Sequence, residues 1–423
     1  MQDYFKIKGG GKLCGRHEVR GAKNAVLPLI AAGLLTDEDV IVENCPYISD
    51  VDAMIDLVHA LGARCTRVGR RVVVHGKPTR ACAGEEFFKS MRSSMFMLGV
   101  LLSTLGEVQM PLPGGCAIGA RPMDIHLEGL KRMDAKIETC DGKIKCSCNR
   151  LVGNKIFMKY PSVGATENLM ICAVLAKGKT TLVNCAKEPE ICSLANLLRT
   201  MGARIQGDGT SVVEIDGVDK LGGGVIYPVG DRIVAGTIAC ATALCGGEVE
   251  IDGVDKNHLG ALWHILQSKN CRISGDDCHV RIFSNGRVGA FDCITAPYPL
   301  FPTDLQAPMV TLACFCDGNC AIKETVFENR FAQALELKKL GAKIEIDKNV
   351  AYVSGCLNQQ SPYPICAGDM CASDLRGGAG LILAGLKIKG ESNVFGARFL
   401  DRGYENIEDT FCSLGGYIIR KKG

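Results

Sequence analysis

The feature of this sequence that most restricts its possible folds is an internal repeat. Short phrases of the type Leu-Gly-Ala-Arg or Leu-Gly-Ala-Lys-Ile recur six times along the chain. Repetition at a nearly constant period indicates one supersecondary unit that is copied in tandem. We therefore predict six similar units that together fill the 423 residues. The phrases are spaced by 72, 68, 68, 71 and 74 residues and begin at Leu61, Met133, Met201, Lys269, Leu340 and Leu414.

Each repeated phrase is predicted to end a helix and to open a strand. Before the first phrase, apolar residues from 51 to 61 follow the 3.6-residue period of an amphipathic helix, and Ser49 or Asp50 is expected to cap its start. Gly62 is expected to end this helix in the left-handed conformation. The alternating residues 64–74 then predict a β-hairpin.

A second helix in each unit is rich in Ala, Leu, Gly and Met and has few charges, which favours burial on most sides. Because strands alternate with these helices, the predicted fold class is α/β, built from six βαβαββ-like units. Three units suffice to surround one bundle of buried helices, so we predict two domains: residues 22–229, with the loop around Cys116, and residues 1–21 plus 230–423. The buried helices are predicted at residues 25–35, 95–105, 166–176, 233–244, 307–316 and 375–386.

The composition argues against several classes of protein. The formal net charge is only +3 and no long run of Lys or Arg occurs, so a nucleic-acid partner is not expected. The most apolar run, residues 233–247, is shorter than the roughly 18 residues of a membrane span, so no membrane insertion is expected. The N-terminus lacks the apolar segment of a secretory signal, which favours a cytoplasmic protein.

The cysteines also favour a cytoplasmic protein. Their number, 23, is odd, and their spacing is not that of a disulfide scaffold, which favours a reducing compartment. No Cys-x-x-Cys pair or nearby His completes a zinc site, so we expect no metal or cofactor. Most of the thiols are expected to pack as small apolar side chains.

One cysteine has a different setting. In the run Pro-Gly-Gly-Cys-Ala-Ile-Gly-Ala-Arg-Pro of residues 113–122, Cys116 lies between glycines and close to Arg121. An open backbone makes a thiol approachable, and a fixed positive charge stabilises its thiolate. Cys116 is therefore a candidate reactive residue. His126, just beyond this loop, fits a structural role and a ligand role equally well.

Polar loops interrupt the repeat at the starts of helices in both halves of the chain. Free backbone N–H groups at a helix N-terminus bind anions well. We therefore expect an anionic ligand in a cleft to which both halves contribute. The loops are residues 21–24, 91–94, 113–122, 162–166, 188–190, 230–232, 301–304, 374–378 and 401–403.

With these loops assembled, the chain resembles the UDP-N-acetylglucosamine enolpyruvyl transferases, also called 1-carboxyvinyltransferases. The resemblance implies a two-domain inside-out α/β barrel with three units per domain. It also implies transfer of the enolpyruvyl group of phosphoenolpyruvate to the 3-hydroxyl of UDP-N-acetylglucosamine, the first committed step of peptidoglycan synthesis. The resemblance runs from end to end and rests on the Cys116 loop, Lys23-Asn24, Ser162-Val163-Gly164-Ala165-Thr166, Phe301-Pro302-Thr303-Asp304, Glu328-Asn329-Arg330, Asp374-Leu375-Arg376 and Asp401-Arg402-Gly403-Tyr404.

The resemblance also implies roles for individual residues. Cys116 would be the acid that protonates phosphoenolpyruvate, and Asp304 the base on the sugar hydroxyl, with Lys23 and Arg402 completing the catalytic set. Phosphoenolpyruvate would be held by Lys23, Arg92, Arg121 and Arg402. The expected sugar-nucleotide contacts are Asn24, Arg121, Pro122, Ser162, Val163, Gly164, Asp304 and Val326. The residues expected to line the cleft are Glu188, Asp231, Glu328, Asp374 and Arg376.

Two other functions remain open at this point. One is the sister enolpyruvyl transfer to shikimate 3-phosphate, and the other is a non-catalytic paralogue that binds a sugar nucleotide or a regulatory partner. Cys116 and the Ser162-Val163-Gly164 segment favour the sugar nucleotide as acceptor. The presence of Lys23, Cys116, Asp304 and Arg402 favours catalysis over binding alone.

Overall fold

The computed structural model describes residues 3–112, 123–357 and 365–423, without the side chain of Ser90. By their contacts, these residues divide into two compact units. The first unit contains the described residues from Arg20 to Val229, and the second contains those up to Val19 and from Gly230 onwards. Each unit has its own hydrophobic core. The Cys116 loop, with Arg121 and Pro122, lies outside the described residues.

The first unit is built around three helices whose residues are mostly buried, Lys23–Ala32, Phe96–Leu105 and Val163–Ala173. Three further helices accompany them in the described residues, Ser49–Ala60, Asp124–Arg132 and Pro189–Thr200. Shorter helical segments are Gly33–Leu35, Glu85–Ser90 and Arg92–Met95.

The strands of the first unit form three sheets in the described residues. Two of them combine parallel and antiparallel pairing, and one is antiparallel throughout. In spatial order, the strands of the first sheet are Gly224–Ile226, Asp39–Val42, Arg71–His75 and Arg64–Val68. Those of the second, antiparallel sheet are Glu107–Pro111, Lys143–Ser147 and Lys136–Cys140. Those of the third are Arg204–Gln206, Val212–Asp216, Lys179–Val183 and Lys155–Phe157.

The second unit repeats this plan. Its mostly buried helices are Arg232–Cys245, Gln306–Cys314 and Leu375–Lys387. The other helices are Gly260–Gln267, Ala332–Lys339, Ala397–Leu400 and Ile407–Ser413, with helical turns Lys256–Leu259 and Thr303–Leu305. Its described strands form three sheets. In spatial order, the first contains Arg272–Gly275, His279–Ser284, Gly247–Asp252 and Leu13–Glu18. The second contains Cys293–Ile294, Asn319–Lys323, Val350–Ser354 and Lys343–Asp347, and the third Asp369–Cys371, Gly390–Phe395, Tyr4–Gly9 and Tyr417–Lys421.

The α/β class and the six buried helices predicted from the sequence are confirmed, with ends shifted by a few residues. The left-handed conformation of Gly62, with φ of 82°, and the hairpin that follows it are also as predicted. The predicted cap of the helix Ser49–Ala60 is wrong, because Ile48 precedes the helix and no side chain caps it. The carboxylate of Asp50 instead pairs with Lys23.

Among the residues described, no helix combines the length and the apolarity that a membrane span requires.

Candidate functional site

In the first unit, Lys23, Arg92 and Ser162 lie at or just before the N-terminal ends of the three mostly buried helices. Lys23 is the first residue of its helix, and Arg92 opens the helical turn that leads into Phe96–Leu105. Ser162 precedes the third helix and accepts a hydrogen bond from the backbone N–H of Ala165 over 3.4 Å. Backbone N–H groups at such ends attract anions, so the placement suits ligands that carry phosphate or carboxylate.

Lys23 is only 9% exposed and its ammonium group lies 2.7 Å from Oδ2 of Asp50. Asp50 belongs to the first turn of the neighbouring helix, where the helix dipole also favours a negative charge. The position of the Lys23 ammonium is therefore set by a second helix as well as by its own.

His126 is oriented by the amide group of Asn168. Oδ1 of Asn168 accepts from the N–H of Gly99 over 2.9 Å, which leaves Nδ2 to donate to Nδ1 of His126 over 3.0 Å. The imidazole proton must then be on Nε2, on the side of the ring that lies next to Gly164. Burial lowers the pKa of His126 to about 4, so the ring is neutral at physiological pH.

Glu167, inside the helix Val163–Ala173, lies near Glu188 and Glu190 at the start of the helix Pro189–Thr200. Glu167 and Glu190 are each 1% exposed and Glu188 is 8% exposed. Burial raises the pKa of Glu167 well above its ordinary value, and the negative charges of Glu190 and Glu188 raise it further. One carboxylate oxygen of Glu188 accepts from the N–H of Lys187 over 2.9 Å. Glu188, a predicted lining residue, therefore belongs to a largely buried acidic group.

In the second unit, two predicted lining residues cap buried helices. Oδ1 of Asp231 accepts from the N–H groups of Ile233 and Val234 over 2.9 and 3.0 Å. Oδ1 of Asp374 accepts from the N–H groups of Arg376 and Gly377 over 3.0 and 2.8 Å. These carboxylates satisfy backbone donors that have no partner inside the helix, which stabilises the helix starts.

Asp304 lies in the helical turn before the remaining buried helix of this unit and is held by two arginines. Nη2 of Arg330 donates to its Oδ1 over 2.6 Å, and Nη2 of Arg376 donates to its Oδ2 over 2.9 Å. Both arginine side chains are 5% exposed, whereas that of Asp304 is 23% exposed. A partly accessible carboxylate is thus fixed in place by two buried cations.

Arg376 joins Asp304 to the rest of this cluster. Burial alone would lower the pKa of its guanidinium, but the negative charge of Asp304, with contributions from Tyr404 and Asp231, raises it above the ordinary value. The ring of Tyr404 lies 5.4 Å from the guanidinium carbon, and its hydroxyl is 3.0 Å from Oγ1 of Thr237. Two predicted site residues, Asp304 and Arg376, are therefore in direct contact.

The other predicted residues vary in exposure. Asn24 and Glu328 are exposed. Val326 is half-buried, as is Arg402, which follows the short helix Ala397–Leu400. Cys116, Arg121 and Pro122 remain predictions, since they lie outside the described residues.

The described cysteines contrast with the setting predicted for Cys116. None of them forms a disulfide, and many are buried. Burial raises the pKa of Cys45, Cys65 and Cys146 to about 12, which keeps these thiols protonated at neutral pH. Such cysteines act as packing residues.

Two residues of this site do not follow from the sequence. Asp50 is predicted only as a helix cap, whereas its carboxylate contacts Lys23. Arg330 belongs to a motif of the resemblance without a predicted role, whereas it contacts Asp304. The motif was the only available signal for Arg330, because neither contact follows from a local pattern.

Comparison with known proteins identifies the family to which the chain belongs. The family model of EPSP synthase, 3-phosphoshikimate 1-carboxyvinyltransferase, matches residues 7–411. The solved structure of the enolpyruvyl transferase NikO from Streptomyces tendae has a TM-score of 0.88 and 23% identity and covers 100% of this chain and 99% of its own. That likeness shows an enolpyruvyl transferase fold.

Two curated relatives are more similar to this chain in sequence. The UDP-N-acetylglucosamine 1-carboxyvinyltransferase 2 of Caldanaerobacter subterraneus subsp. tengcongensis is 41% identical, covering 98% of this chain and 99% of its own. The UDP-N-acetylglucosamine 1-carboxyvinyltransferase of Koribacter versatilis is 43% identical, and the match covers 99% of this chain and 96% of that relative. The chain therefore belongs to the EPSP synthase family and, within it, to the UDP-N-acetylglucosamine 1-carboxyvinyltransferases.

Proposed function

We propose that this protein transfers the enolpyruvyl group of phosphoenolpyruvate to the 3-hydroxyl of UDP-N-acetylglucosamine and releases phosphate. The observation that carries the proposal is the identity of 41% and 43% with two proteins named for this transfer, over almost the whole chain. The fixed carboxylate of Asp304 and the Cys116 loop supply the residue types that the chemistry needs.

The reaction is an addition followed by an elimination. A proton delivered to the methylene carbon of phosphoenolpyruvate makes the neighbouring carbon electrophilic, and the sugar oxygen bonds to that carbon as it loses its proton. Phosphate then leaves, and loss of a proton from the new methyl group restores the double bond. The enzyme must supply an acid, a base and cations that hold the phosphate and carboxylate.

We assign the acid to Cys116 and the base to Asp304. A carboxylate offers about four lone-pair positions, so its bonds to Arg330 and Arg376 do not use up its capacity to accept a hydroxyl proton. These two arginines fix the direction in which the remaining lone pairs point. Asp304 is thereby suited to accept a proton from a hydroxyl placed at one position.

The remaining residues bind substrate in this proposal. Lys23, Arg92, Arg121 and Arg402 hold phosphoenolpyruvate by charge-assisted hydrogen bonds. Asn24, Arg121, Pro122, Ser162, Val163, Gly164, Asp304 and Val326 contact the sugar nucleotide. Glu188, Asp231, Glu328, Asp374 and Arg376 line the region where the substrates bind.

We further propose that residues of both predicted domains, 22–229 and 1–21 plus 230–423, act on the same substrates. In the cell, the reaction would take place in the cytoplasm and supply peptidoglycan synthesis. Its loss would then impair cell-wall biogenesis, and with it cell shape and division.

The proposal is tested by measuring phosphate release from phosphoenolpyruvate with UDP-N-acetylglucosamine or with shikimate 3-phosphate as acceptor. We expect release only with the sugar nucleotide. Cys116→Ser and Asp304→Asn should each lower kcat by at least about 100-fold, because each removes a proton-transfer group. Release that depends on shikimate 3-phosphate would overturn the choice of acceptor.

Matched controls are available at exposed positions. Cys82→Ser and Asp347→Asn make the same chemical changes at exposed residues of the first and second unit, respectively. Both are expected to keep the wild-type rate. Wild-type turnover that survives Cys116→Ser and Asp304→Asn would contradict the assigned roles.

A further inference from the structure

Glu324 is a carboxylate with 1% exposure that receives hydrogen bonds from two directions. Its Oε1 accepts from the hydroxyl of Thr295 over 2.8 Å and from the N–H groups of Val326 and Phe327 over 2.7 and 3.2 Å. Its Oε2 accepts from the hydroxyl of Thr303 over 2.7 Å. A buried carboxylate is costly unless its oxygens are satisfied in this way, so the four bonds explain how the charge is tolerated.

The backbone of Glu324 is fixed as well. The residue directly follows the strand Asn319–Lys323, and its N–H donates to the carbonyl oxygen of Asn349 over 2.8 Å. Nδ2 of Asn349 in turn donates to the carbonyl oxygen of Glu324 over 2.8 Å. The carboxylate therefore extends from a rigid position at the end of a strand.

Thr303 connects this carboxylate to the proposed base. A hydroxyl has one proton, and because that of Thr303 is donated to Glu324, the oxygen is left as an acceptor. Nη1 of Arg330 donates to this oxygen over 2.6 Å, while Nη2 of the same guanidinium donates to Oδ1 of Asp304 over 2.6 Å. Glu324 thus determines how Thr303 orients Arg330, and Arg330 orients Asp304.

The other oxygen of Glu324 acts on a proposed substrate contact. Its bond to the N–H of Val326 fixes the turn that begins after the strand, and Val326 is one of the proposed sugar-nucleotide contacts. One carboxylate therefore holds both the base and a binding residue of the acceptor.

We propose that Glu324 is a positioning residue for enolpyruvyl transfer, acting on Asp304 through Thr303 and Arg330 and on the acceptor through Val326. The assignment rests on the proposed function. It predicts a defect in the rate of transfer and in the use of the acceptor, with little change in the use of phosphoenolpyruvate, whose proposed ligands lie outside this network.

The test compares the steady-state kinetics of Glu324→Gln and Thr303→Val with those of the wild type. A carboxamide cannot accept hydrogen bonds at both ends, so Glu324→Gln should lower kcat by about 10- to 100-fold through misplacement of the base. The KM for UDP-N-acetylglucosamine should rise, and that for phosphoenolpyruvate should stay within about twofold. Thr303→Ser keeps the hydroxyl and should retain the rate that Thr303→Val loses.

A double-variant cycle separates positioning from general damage. Because both changes break the same chain of hydrogen bonds, Glu324→Gln with Thr303→Val should be no more than about twofold slower than the slower single variant. Thr311→Val is the structural control, since it removes a buried hydrogen bond to the carbonyl oxygen of Gly380 in the same unit. It should lower thermal stability without changing kcat.

Two results would overturn the assignment. One is a double variant whose rate loss equals the product of the two single losses. The other is a kinetic profile of Glu324→Gln, normalised to folded protein, that matches that of Thr311→Val. A wild-type protein without turnover would instead overturn the proposed function, and this assignment with it.

Discussion

The ammonium group of Lys23 lies 2.7 Å from Oδ2 of Asp50, and the two side chains are only 11% and 5% exposed. A lysine that opens one helix is thus paired with an aspartate in the first turn of another. Pairing keeps a buried cation in place, which a proposed ligand of phosphoenolpyruvate requires.

Asp50→Asn tests this relationship. The change removes the negative charge that faces the ammonium, so the free energy of unfolding should fall by about 3 kcal/mol. The KM for phosphoenolpyruvate should rise because the Lys23 ammonium loses its ion pair with Asp50. Urea unfolding and steady-state kinetics measure the two effects. The control is Asp52→Asn in the same helix, whose side chain is 66% exposed and pairs with Arg67. Losses of similar size in both variants would contradict the prediction.

The buried imidazole of His126 predicts a stability that depends on pH. Its pKa is about 4 in the folded protein against 6.5 for an ordinary histidine, so the unfolded chain binds more protons between these values. The free energy of unfolding should therefore decrease as the pH falls from 6.5 to about 4, by up to about 3 kcal/mol.

His126→Asn keeps an acceptor near Asn168 but does not titrate in this range. Its unfolding free energy, measured by urea denaturation at several pH values, should lack this part of the acid dependence. His264→Asn, at an exposed position, should behave like the wild type. An unchanged acid dependence in His126→Asn would rule out His126 as its source.

Glu167 predicts the opposite dependence on pH. Because burial and the neighbouring glutamates raise its pKa, the folded protein retains a proton that the unfolded chain releases above pH 4.5. The free energy of unfolding should decrease as the pH rises from 4.5 until the raised pKa is passed, by about 1.4 kcal/mol per pH unit.

Glu167→Gln removes this titration, so the variant should gain stability over the wild type as the pH is raised. Thermal unfolding between pH 4.5 and pH 8 measures the difference. Glu138→Gln makes the same change at an exposed position and is expected to follow the wild type. A constant difference between Glu167→Gln and the wild type across this range would refute the prediction.

Two substitutions of Asp231 should differ in their effect on the free energy of unfolding. Asp231→Ala should lower the free energy of unfolding by about 1 kcal/mol, because the N–H groups of Ile233 and Val234 lose their acceptor. Asp231→Asn keeps an acceptor oxygen for these N–H groups and should lose less, since it removes only the negative charge that acts on Arg376. Equal losses in chemical denaturation would show that capping is not the source of the effect.

The repeat, the α/β class and the six mostly buried helices could all be predicted from the pattern of residues. Apolar periodicity and glycine stops act over a few residues, so their consequences, such as the turn at Gly62, can be predicted locally. Motifs also predicted that Lys23, Asp304 and Arg376 belong to a site. Motifs indicate which residue types occur together, and they carry no information about which atoms touch.

The pairing of these side chains could not be predicted, because it depends on how distant parts of the chain pack together. Arg330 and Arg376 are 26 and 72 residues from Asp304 along the chain, and they meet it because the starts of packed helices and loops are brought together. Helix packing also explains why the predicted cap by Asp50 is wrong, because its carboxylate pairs with the buried ammonium of Lys23 on a neighbouring helix. Contacts of this kind depend on how apolar helix faces pack against one another, which a local pattern of residues cannot specify.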